Sequence, residues 1–385
     1  MALAKTELQD IYQQLHQIPE IGMEEYETQA KLLEIIQHLP QDHLEIKTWK
    51  TGILVHLTGA NPTYTIGYRT DIDGLPVAEK TGLVFSSQHP GRMHACGHDI
   101  HMSVALGVLS RLAESRPPVS VTFIFQPAEE NASGGKQLFE SGVLGKWQPD
   151  EIYALHVDPT LPAGTIGCRE GTLFAGTCEI HAKFRGKSGH AAFPHDANDM
   201  VVCGANFVSS IQTIVSRRID PIKSGVVTLG HFNAGTTGNV IAGECQIDGT
   251  IRALTQDVNL KIQNEVRRIA EGTAATFNCD LELDLHQGGY LPVVNDPRTT
   301  PEFIDFVKNS DYDYQEMPPA MTGEDFGFML SKIPGTMCWL GVDSPYSLHS
   351  DRMVPDTSAI MAGVGVFAAY LQEKARQVSH SGKQD

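Results

Sequence analysis

The sequence predicts an α/β protein in which a mostly parallel sheet covered by helices is interrupted by a smaller α+β domain. Three short apolar runs, at residues 119–125, 152–157 and 336–342, are typical of strands that are buried on both faces. After about residue 177, three stretches at 178–185, 245–252 and 281–286 instead alternate apolar and polar residues, which indicates strands with one solvated face. At 385 residues the chain is also too long for one ordinary core.

The first part of the chain begins with two predicted helices, at residues 6–19 and 24–38. Residues 46–58 predict either a strand pair or a strand and a turn, and residues 65–69 predict a short strand that runs into Asp71. Further helices are predicted at 101–114, 134–141 and 357–372. Open α/β sheets carry their chemistry just beyond the carboxyl ends of the strands, so the loops after the three apolar runs are the candidate site.

The inserted domain is predicted at residues 178–290. Alternating stretches at 178–185, 245–252 and 281–286 predict strands, with helices at about 199–217 and 256–273 between them. An antiparallel sheet with two helices on one face is an α+β layer. The predicted domains are therefore 1–177 with 291–385, and 178–290.

Composition limits the partners and the compartment. A net charge of −17 argues against nucleic acid or an anionic membrane surface as a partner. No single apolar run approaches the roughly 20 residues of a membrane span, and residues 1–14 have no apolar signal-peptide region. Seven scattered cysteines fit reduced thiols better than a disulfide framework, so we expect a cytoplasmic protein.

The most informative stretch is residues 94–101, which holds three histidines, a cysteine and an aspartate in a chain with only 16 histidines. Thiol, imidazole and carboxylate groups at close spacing are the ligands of a divalent transition metal. A loop that is merely rich in histidine is the alternative. Glu129 and Glu130 follow the run 119–125, where one carboxylate can bind metal and the other can take a proton from water.

Other polar residues stand at or beyond neighbouring strand ends. Asp71 and Asp73 can ligate metal, orient a ligand histidine or hold the general base, although an ordinary turn is an equal explanation. His156 lies in an apolar run and His349 lies in a loop beyond one. The predicted ligands are Cys96, His98, Glu130, His156 and His349. This number of ligands fits a pair of divalent ions, and mixed S, N and O donors suit Zn, Mn, Co or Ni.

The inserted domain has polar residues of its own. A glycine-rich turn presents His190 and His195, and Asn239 and Arg252 add groups that can meet a substrate carboxylate. Read alone, these residues are better explained by a plain hairpin connection and a solvated arginine.

Together these stretches resemble the M20 metallopeptidase/amidohydrolase family. The resemblance is narrower to its aminoacylase, hippurate-hydrolase and auxin-conjugate-hydrolase branch, in which a cysteine replaces a bridging carboxylate. The matching stretches follow in order along essentially the whole chain: 71–76, 94–101, 127–130, 154–156, 186–195 and 348–349. Residues 15–20 resemble the branch as a whole.

The resemblance implies a metal-binding catalytic domain and a lid domain that often mediates dimerisation, hence a homodimer or higher homo-oligomer. It implies that Glu129 is the proton shuttle and Glu130 a ligand, and it gives Asp71 or Asp73 a catalytic role without separating the two. His190 would polarise the amide carbonyl, within one subunit or across a dimer interface. Arg252 or a lid backbone group would hold the substrate carboxylate.

Residues 46–52 and 144–150 resemble, within that branch, bacterial deacetylases of the lysine pathway. The implied substrate is N-acetyl-LL-2,6-diaminopimelate, hydrolysed to LL-2,6-diaminopimelate and acetate. A broader aminoacylase or hippurate hydrolase, or a dipeptidase, is the alternative within the family. A non-catalytic metal-binding protein is a more distant one.

Overall fold

The computed structural model describes residues 2–381, which fall into two compact units. One unit holds the described residues up to Leu173, Val294–Pro318 and the described residues from Phe328 onward, and the other holds Phe174–Val293 and Pro319–Gly327. The sequence-based boundaries remain predictions: 1–177 with 291–385 for the catalytic domain, and 178–290 for the lid domain.

The elements follow one another along the chain as two sets. The strands are β1 (Leu44–Trp49), β2 (Gly52–Leu57), β3 (Thr65–Asp71), β4 (Ser120–Gln126), β5 (Glu151–Asp158), β6 (Ile166–Cys168), β7 (Gly171–Phe174), β8 (Gly176–Arg185), β9 (Gly189–His190), β10 (Gly225–Ala234), β11 (Val240–Ile241), β12 (Glu244–Ala253), β13 (Asp280–His286), β14 (Val293–Asn295), β15 (Tyr314–Glu316) and β16 (Gly335–Gly341). The helices are α1 (Lys5–His16), α2 (Tyr26–Gln37), α3 (His98–Ser115), α4 (Glu129–Ala132), α5 (Gly134–Glu140), α6 (Met200–Ile211), α7 (Thr213–Arg217), α8 (Gln256–Phe277), α9 (Thr299–Lys308), α10 (Phe326–Leu330) and α11 (Ala359–Ser381).

The first unit is built on a sheet whose described strands run in the order β1-β2-β4-β3-β5-β16-β6-β15. At its centre β4, β3, β5 and β16 are parallel to one another. Three of these strands are the apolar runs of the sequence, and every residue in them is buried. The predicted α/β architecture is confirmed, and the carboxyl ends of four adjacent strands meet at one edge of the sheet.

Helix α3 packs in this unit against α1, α11 and β3. It is buried on nearly all sides, which is the pattern of a helix surrounded by protein. It starts three residues earlier than the sequence predicted, so His98 belongs to its first turn. The last helix also differs from its prediction, because α11 continues to Ser381.

The second unit contains an antiparallel sheet with the order β10-β12-β8-β13, and α6 and α8 pack on one face of it. The alternating pattern is confirmed on β8, which buries Cys178, Ile180 and Phe184. Strand β10 escaped prediction because its register shifts between Leu229 and His231, which breaks the alternation. No helix among residues 2–381 is long and apolar enough to cross a membrane.

Candidate active site

The predicted ligands of the first unit come from four different parts of its chain. Cys96 and His98 lie at the start of α3, Glu130 follows β4, His156 lies on β5 and His349 follows β16. Because β4, β5 and β16 end at the same edge of the sheet, residues far apart in sequence meet there.

The donor atoms of these side chains converge. The Sγ atom of Cys96 lies 3.4 Å from His156 Nε2. Glu130 Oε1 lies 3.9 Å from His98 Nε2 and 3.3 Å from His349 Nε2. Cys96, His98 and His156 form one group whose ligand atoms all lie within 4.8 Å of one another, and Cys96, Glu130 and His349 form a second. Two overlapping groups that share Cys96 could hold a pair of neighbouring ions.

Two of these donor atoms take no part in the hydrogen bonding of the described fold. His98 Nε2 and Glu130 Oε1 are buried and have no hydrogen-bond partner among the described residues. A buried polar atom without a partner destabilises a protein by about 1–3 kcal/mol. A cation bound between them satisfies both atoms, so the site fits a metal.

The charges around the site also favour a cation. Burial and the carboxylates of Glu130 and Glu129 raise the pKa of the Cys96 thiol well above its ordinary value. Burial lowers the pKa of His98, but Asp71 and Asp73, with Glu130, outweigh it and raise that pKa to about 10. The surroundings therefore lack positive charge, which a divalent ion supplies.

The ligand histidines are held with Nε2 facing the site. His98 Nδ1 donates a hydrogen bond to the Asp73 carbonyl at 2.9 Å, and His156 Nδ1 donates to the Val157 carbonyl at 2.9 Å. Because a carbonyl only accepts, Nδ1 carries a proton in each ring, and Nε2 is the nitrogen left to face a metal, which would replace any proton on that atom. Burial lowers the pKa of His156 to about 4, so this ring is neutral at pH 7.

Gly97 allows Cys96 and His98 to face the same point. Its φ is +79°, a left-handed conformation that residues with a Cβ atom rarely adopt. A Cβ atom at this position would lie 2.5 Å from Val157 Cγ2. The turn between the two predicted ligands therefore requires glycine.

Asp71 supports the site through two hydrogen bonds of its carboxylate. Its Oδ2 atom accepts a hydrogen bond from Arg69 Nη1 at 2.7 Å, and its Oδ1 atom accepts one from His101 Nδ1 at 2.6 Å. His101 Nε2 in turn accepts from the Val157 backbone N–H at 2.9 Å. Both oxygens of Asp71 are therefore engaged, and His101 is an orienting residue.

Asp73 contacts two predicted ligands directly. Its carbonyl accepts from His98 Nδ1, and its Oδ2 atom accepts the backbone N–H of Glu130 at 3.0 Å. The two aspartates that the sequence did not separate thus differ in position: Asp73 orients ligands and Asp71 orients His101.

Glu129 is buried, with 5% of its surface exposed, and one of its oxygens lies within 4.8 Å of ligand atoms of His98 and Glu130. It follows Ala128, whose φ of +56° costs an alanine roughly 1–2 kcal/mol. Strained backbone of this kind is concentrated at functional sites. The turn directs both Glu129 and Glu130 toward the edge of the sheet.

The second unit brings His190 and Asn239 together. His190 on β9 pairs with Val240 on β11, and the Ala191 N–H donates to the Asn239 carbonyl at 3.3 Å. This two-stranded ribbon leaves the sheet at the Glu244 end of β12.

Arg252 lies at the other end of β12, about 26 Å from Glu244 at 3.3 Å per residue. It is half-buried, and its Nη1 atom donates to the Ile251 carbonyl at 3.3 Å. The structure therefore does not place Arg252 beside His190 and Asn239 within one chain. His195 is exposed and lies in a single 3₁₀ turn, Pro194–Asp196, that comes shortly after β9.

Sequence reasoning missed two buried acid contacts near the site. Glu25 accepts a hydrogen bond from the Ala128 N–H at 2.8 Å. Asp99, in the first turn of α3, accepts the Ile100 N–H with its Oδ1 atom at 2.9 Å, and its Oδ2 atom lies 2.6 Å from His16 Nδ1. The sequence signal that pointed to His16 was the resemblance of residues 15–20 to the aminoacylase and hippurate-hydrolase branch.

The model of peptidase family M20/M25/M40 matches residues 67–373 of the chain. The chain belongs to this family. A solved M20 structure, the YXEP protein of Bacillus subtilis, described as a dinuclear metal binding peptidase, superposes with a TM-score of 0.82 at 30% identity and covers 96% of this chain and 98% of its own. The predicted family membership is confirmed.

Two M20 relatives are similar over nearly their whole length. A protein of Ligilactobacillus salivarius (strain UCC118) is 69% identical over 380 residues, covering 98% of this chain and 100% of its own. A protein of Lactiplantibacillus plantarum (strain ATCC BAA-793 / NCIMB 8826 / WCFS1) is 63% identical, covering 97% and 99%. Each is named N-acetyldiaminopimelate deacetylase.

Proposed function

We propose that this protein is a metal-dependent amidohydrolase that converts N-acetyl-LL-2,6-diaminopimelate and water to LL-2,6-diaminopimelate and acetate, in the acetylase branch of lysine biosynthesis. The observation that carries the proposal is the 69% identity, over 98% of the chain, to a protein named for this deacetylation. The buried cluster around Cys96 and Glu130 supports it, since these donor atoms could hold the metal ions of an amidohydrolase.

We propose that two divalent ions bind to the side chains of Cys96, His98, Glu130, His156 and His349. The ions are drawn from Zn, Mn, Co and Ni, the metals that suit sulfur, nitrogen and oxygen donors together. Bound ions of this kind acidify a water molecule and polarise a carbonyl. The unpaired His98 Nε2 and Glu130 Oε1 atoms support this assignment.

Glu129 is proposed to take a proton from the attacking water and to return it to the amide nitrogen as the C–N bond breaks. The acetyl carbon keeps the water oxygen and leaves as acetate. Asp73 keeps His98 and the Glu130 backbone in place during these steps, and Asp71 acts through His101.

His190 is proposed to stabilise the oxyanion, and Asn239 and Arg252 to bind the carboxylates of the substrate. Arg252 and the ribbon that carries His190 lie at opposite ends of β12, farther apart than one diaminopimelate chain reaches. We therefore propose that two copies of the chain, in a homodimer or higher homo-oligomer formed through residues 178–290, complete each site.

The substrate is proposed to be a small N-acyl amino acid, with no nucleic acid or membrane partner, and the compartment to be the cytoplasm. All seven cysteines are free thiols, which supports a reducing compartment. The charge of −17 supports the absence of a nucleic-acid partner.

A substrate panel tests the reaction. The purified chain is reconstituted separately with Mn, Co, Ni and Zn, and kcat/KM is measured for N-acetyl-LL-2,6-diaminopimelate, N-acetyl-methionine, hippurate and a set of dipeptides. The diaminopimelate derivative is expected to be the best substrate. Equal rates on N-acetyl-methionine or hippurate would favour the broader aminoacylase, better rates on dipeptides would favour a dipeptidase, and bound metal without any turnover would favour a binding protein.

A further inference from the structure

We infer that Glu25 is a positioning residue for catalysis, which holds Glu129 in place through the backbone of Ala128. The inference rests on the proposed function, since Glu129 is the proton shuttle there. Glu25 precedes α2 and lies more than 100 residues from Glu129 in sequence.

The contacts of Glu25 join three segments of the first unit. Its side chain is fully buried. Its Oε1 atom accepts the backbone N–H of Ala128 at 2.8 Å, and its Oε2 atom accepts the hydroxyl of Thr51 at 2.5 Å. Thr51 stands between β1 and β2, so one carboxylate connects the start of α2, the β1–β2 turn and the loop that follows β4.

The peptide that Glu25 binds has a strained backbone conformation. Ala128 adopts φ +56° and ψ 47°, a conformation that its Cβ atom disfavours. Its carbonyl accepts a hydrogen bond from Gly134 N at 2.9 Å, so Glu25 and Gly134 hold Ala128 from both sides. Without an acceptor at Glu25, the Ala128 N–H would be buried and unpaired, and the turn would relax toward an ordinary conformation.

A relaxed turn at Ala128 would move Glu129 directly, because the two residues are adjacent. A general base acts only within hydrogen-bond reach of its proton, and an error of about 1 Å can lower a rate on the order of 10²-fold. Glu25 touches neither Glu129 nor any of the five proposed ligands in its hydrogen bonds, so its loss would affect the rate of the chemical step more than metal content.

The chemistry of the contact identifies a conservative replacement. Burial raises the pKa of Glu25 to about 7, against the bond from Thr51 that lowers it. A neutral group can make both contacts, accepting from Ala128 N–H and donating to the Thr51 hydroxyl. The amide of glutamine has this same pair of functions, whereas alanine has neither.

The test compares Glu25→Ala, Glu25→Gln and Glu20→Ala. Glu20 is a matched control, because it is buried near the same helix and its Oε2 atom accepts the Thr28 N–H at 2.8 Å instead of a contact with Ala128. We expect Glu25→Ala to lower kcat on the order of 10²-fold with KM and metal content near wild type. Glu25→Gln is expected to keep most of kcat, and Glu20→Ala to lower thermal stability without this loss of kcat.

Equal losses of kcat in Glu25→Ala and Glu20→Ala, or in Glu25→Ala and Glu25→Gln, would overturn the inference, since a general loss of stability would then explain them. A second measurement, amide hydrogen exchange at Ala128 in folded protein, is independent of turnover. The amide is expected to be protected in wild type and Glu25→Gln, and slow exchange in Glu25→Ala would contradict the contact. Failure of the proposed function is distinguishable, because it shows as absent deacetylase turnover in the wild type.

Discussion

His98 Nε2 and Glu130 Oε1 lie 3.9 Å apart, both buried and both without a hydrogen-bond partner among the described residues. Neither atom contributes to the fold by itself, and each is the kind of atom that binds a divalent transition metal. The stability of the first unit and its activity are therefore expected to depend on the same ions.

Removal of metal with a chelator is expected to abolish deacetylase activity and to lower Tm. A ligand at 1,000 times its Kd stabilises the folded state by about 4 kcal/mol, and this contribution is lost with the ions. Metal analysis and calorimetry before and after chelation, followed by addition of Zn, Mn, Co or Ni, measure both effects. His98→Ala is expected to lose metal, and the exposed His38→Ala is its control; unchanged metal content in His98→Ala would remove His98 from the ligand set.

Glu129→Ala is expected to lower kcat by about 10²–10⁴-fold, the usual contribution of a general acid–base group. Its metal content should stay near wild type, because the five proposed ligands are intact. Turnover of the metal-loaded variant and its metal stoichiometry check this together. Near-normal deacetylation by that variant would show that another group moves the proton.

Gly97→Ala is expected to disturb the turn between Cys96 and His98 by two separate effects. Its φ of +79° costs an alanine roughly 1–2 kcal/mol, and the new Cβ atom would lie 2.5 Å from Val157 Cγ2. Gly82→Ala isolates the first effect, since Gly82 has φ +76° and a Cβ atom added there would have no heavy atom within 4 Å. Weaker metal binding in Gly97→Ala than in Gly82→Ala is the expected result, and equal binding in the two variants would contradict it.

The stability gained by Glu25→Gln is expected to depend on pH. The pKa of Glu25 is about 7 in the folded protein, raised by burial from an ordinary value of 4.5. Below 4.5 the group is protonated in folded and unfolded chains alike, so it has no pH-linked cost there. As pH rises from 4.5 to 7 the folded state resists ionisation and loses up to about 3 kcal/mol, which glutamine avoids. Denaturation of both proteins at about pH 5 and pH 8 checks this, and a difference that does not grow with pH would contradict it.

Mixing two inactive variants tests whether two chains share a site. Glu129→Ala lacks the proton shuttle and His190→Ala lacks the lid histidine. If His190 acts on a neighbouring subunit, co-expression is expected to restore about a quarter of wild-type activity, because half of the dimers are mixed and each has one intact site. Absence of recovery in mixed dimers confirmed by mass would place His190 and Glu129 of each site in the same chain.

The centre of the first unit could be predicted because its residue types and their spacing indicate their chemistry. Glu129 and Glu130 follow a buried strand, and Cys96 and His98 combine two metal-binding side chains in three positions. Parallel strands then place such residues at one edge whatever their distance in sequence.

Other features depended on geometry that a sequence does not contain. Glu25 resembles any acidic residue before a helix, and only the fold directs the Ala128 N–H toward it. The distance between Arg252 and the His190 ribbon follows from the register of β12 with β8, in which Glu244 is opposite Arg185. Strand β10 was hidden because one register shift interrupts its pattern.

The converging donors of the first unit are spread from Cys96 to His349, with the whole of Phe174–Val293 encoded between His156 and His349. A ribosome therefore produces four of the five proposed ligands long before the fifth, and a chain cut short within the inserted segment would carry an incomplete donor set. We therefore expect tight metal binding only after the last ligand has been made and the chain has folded.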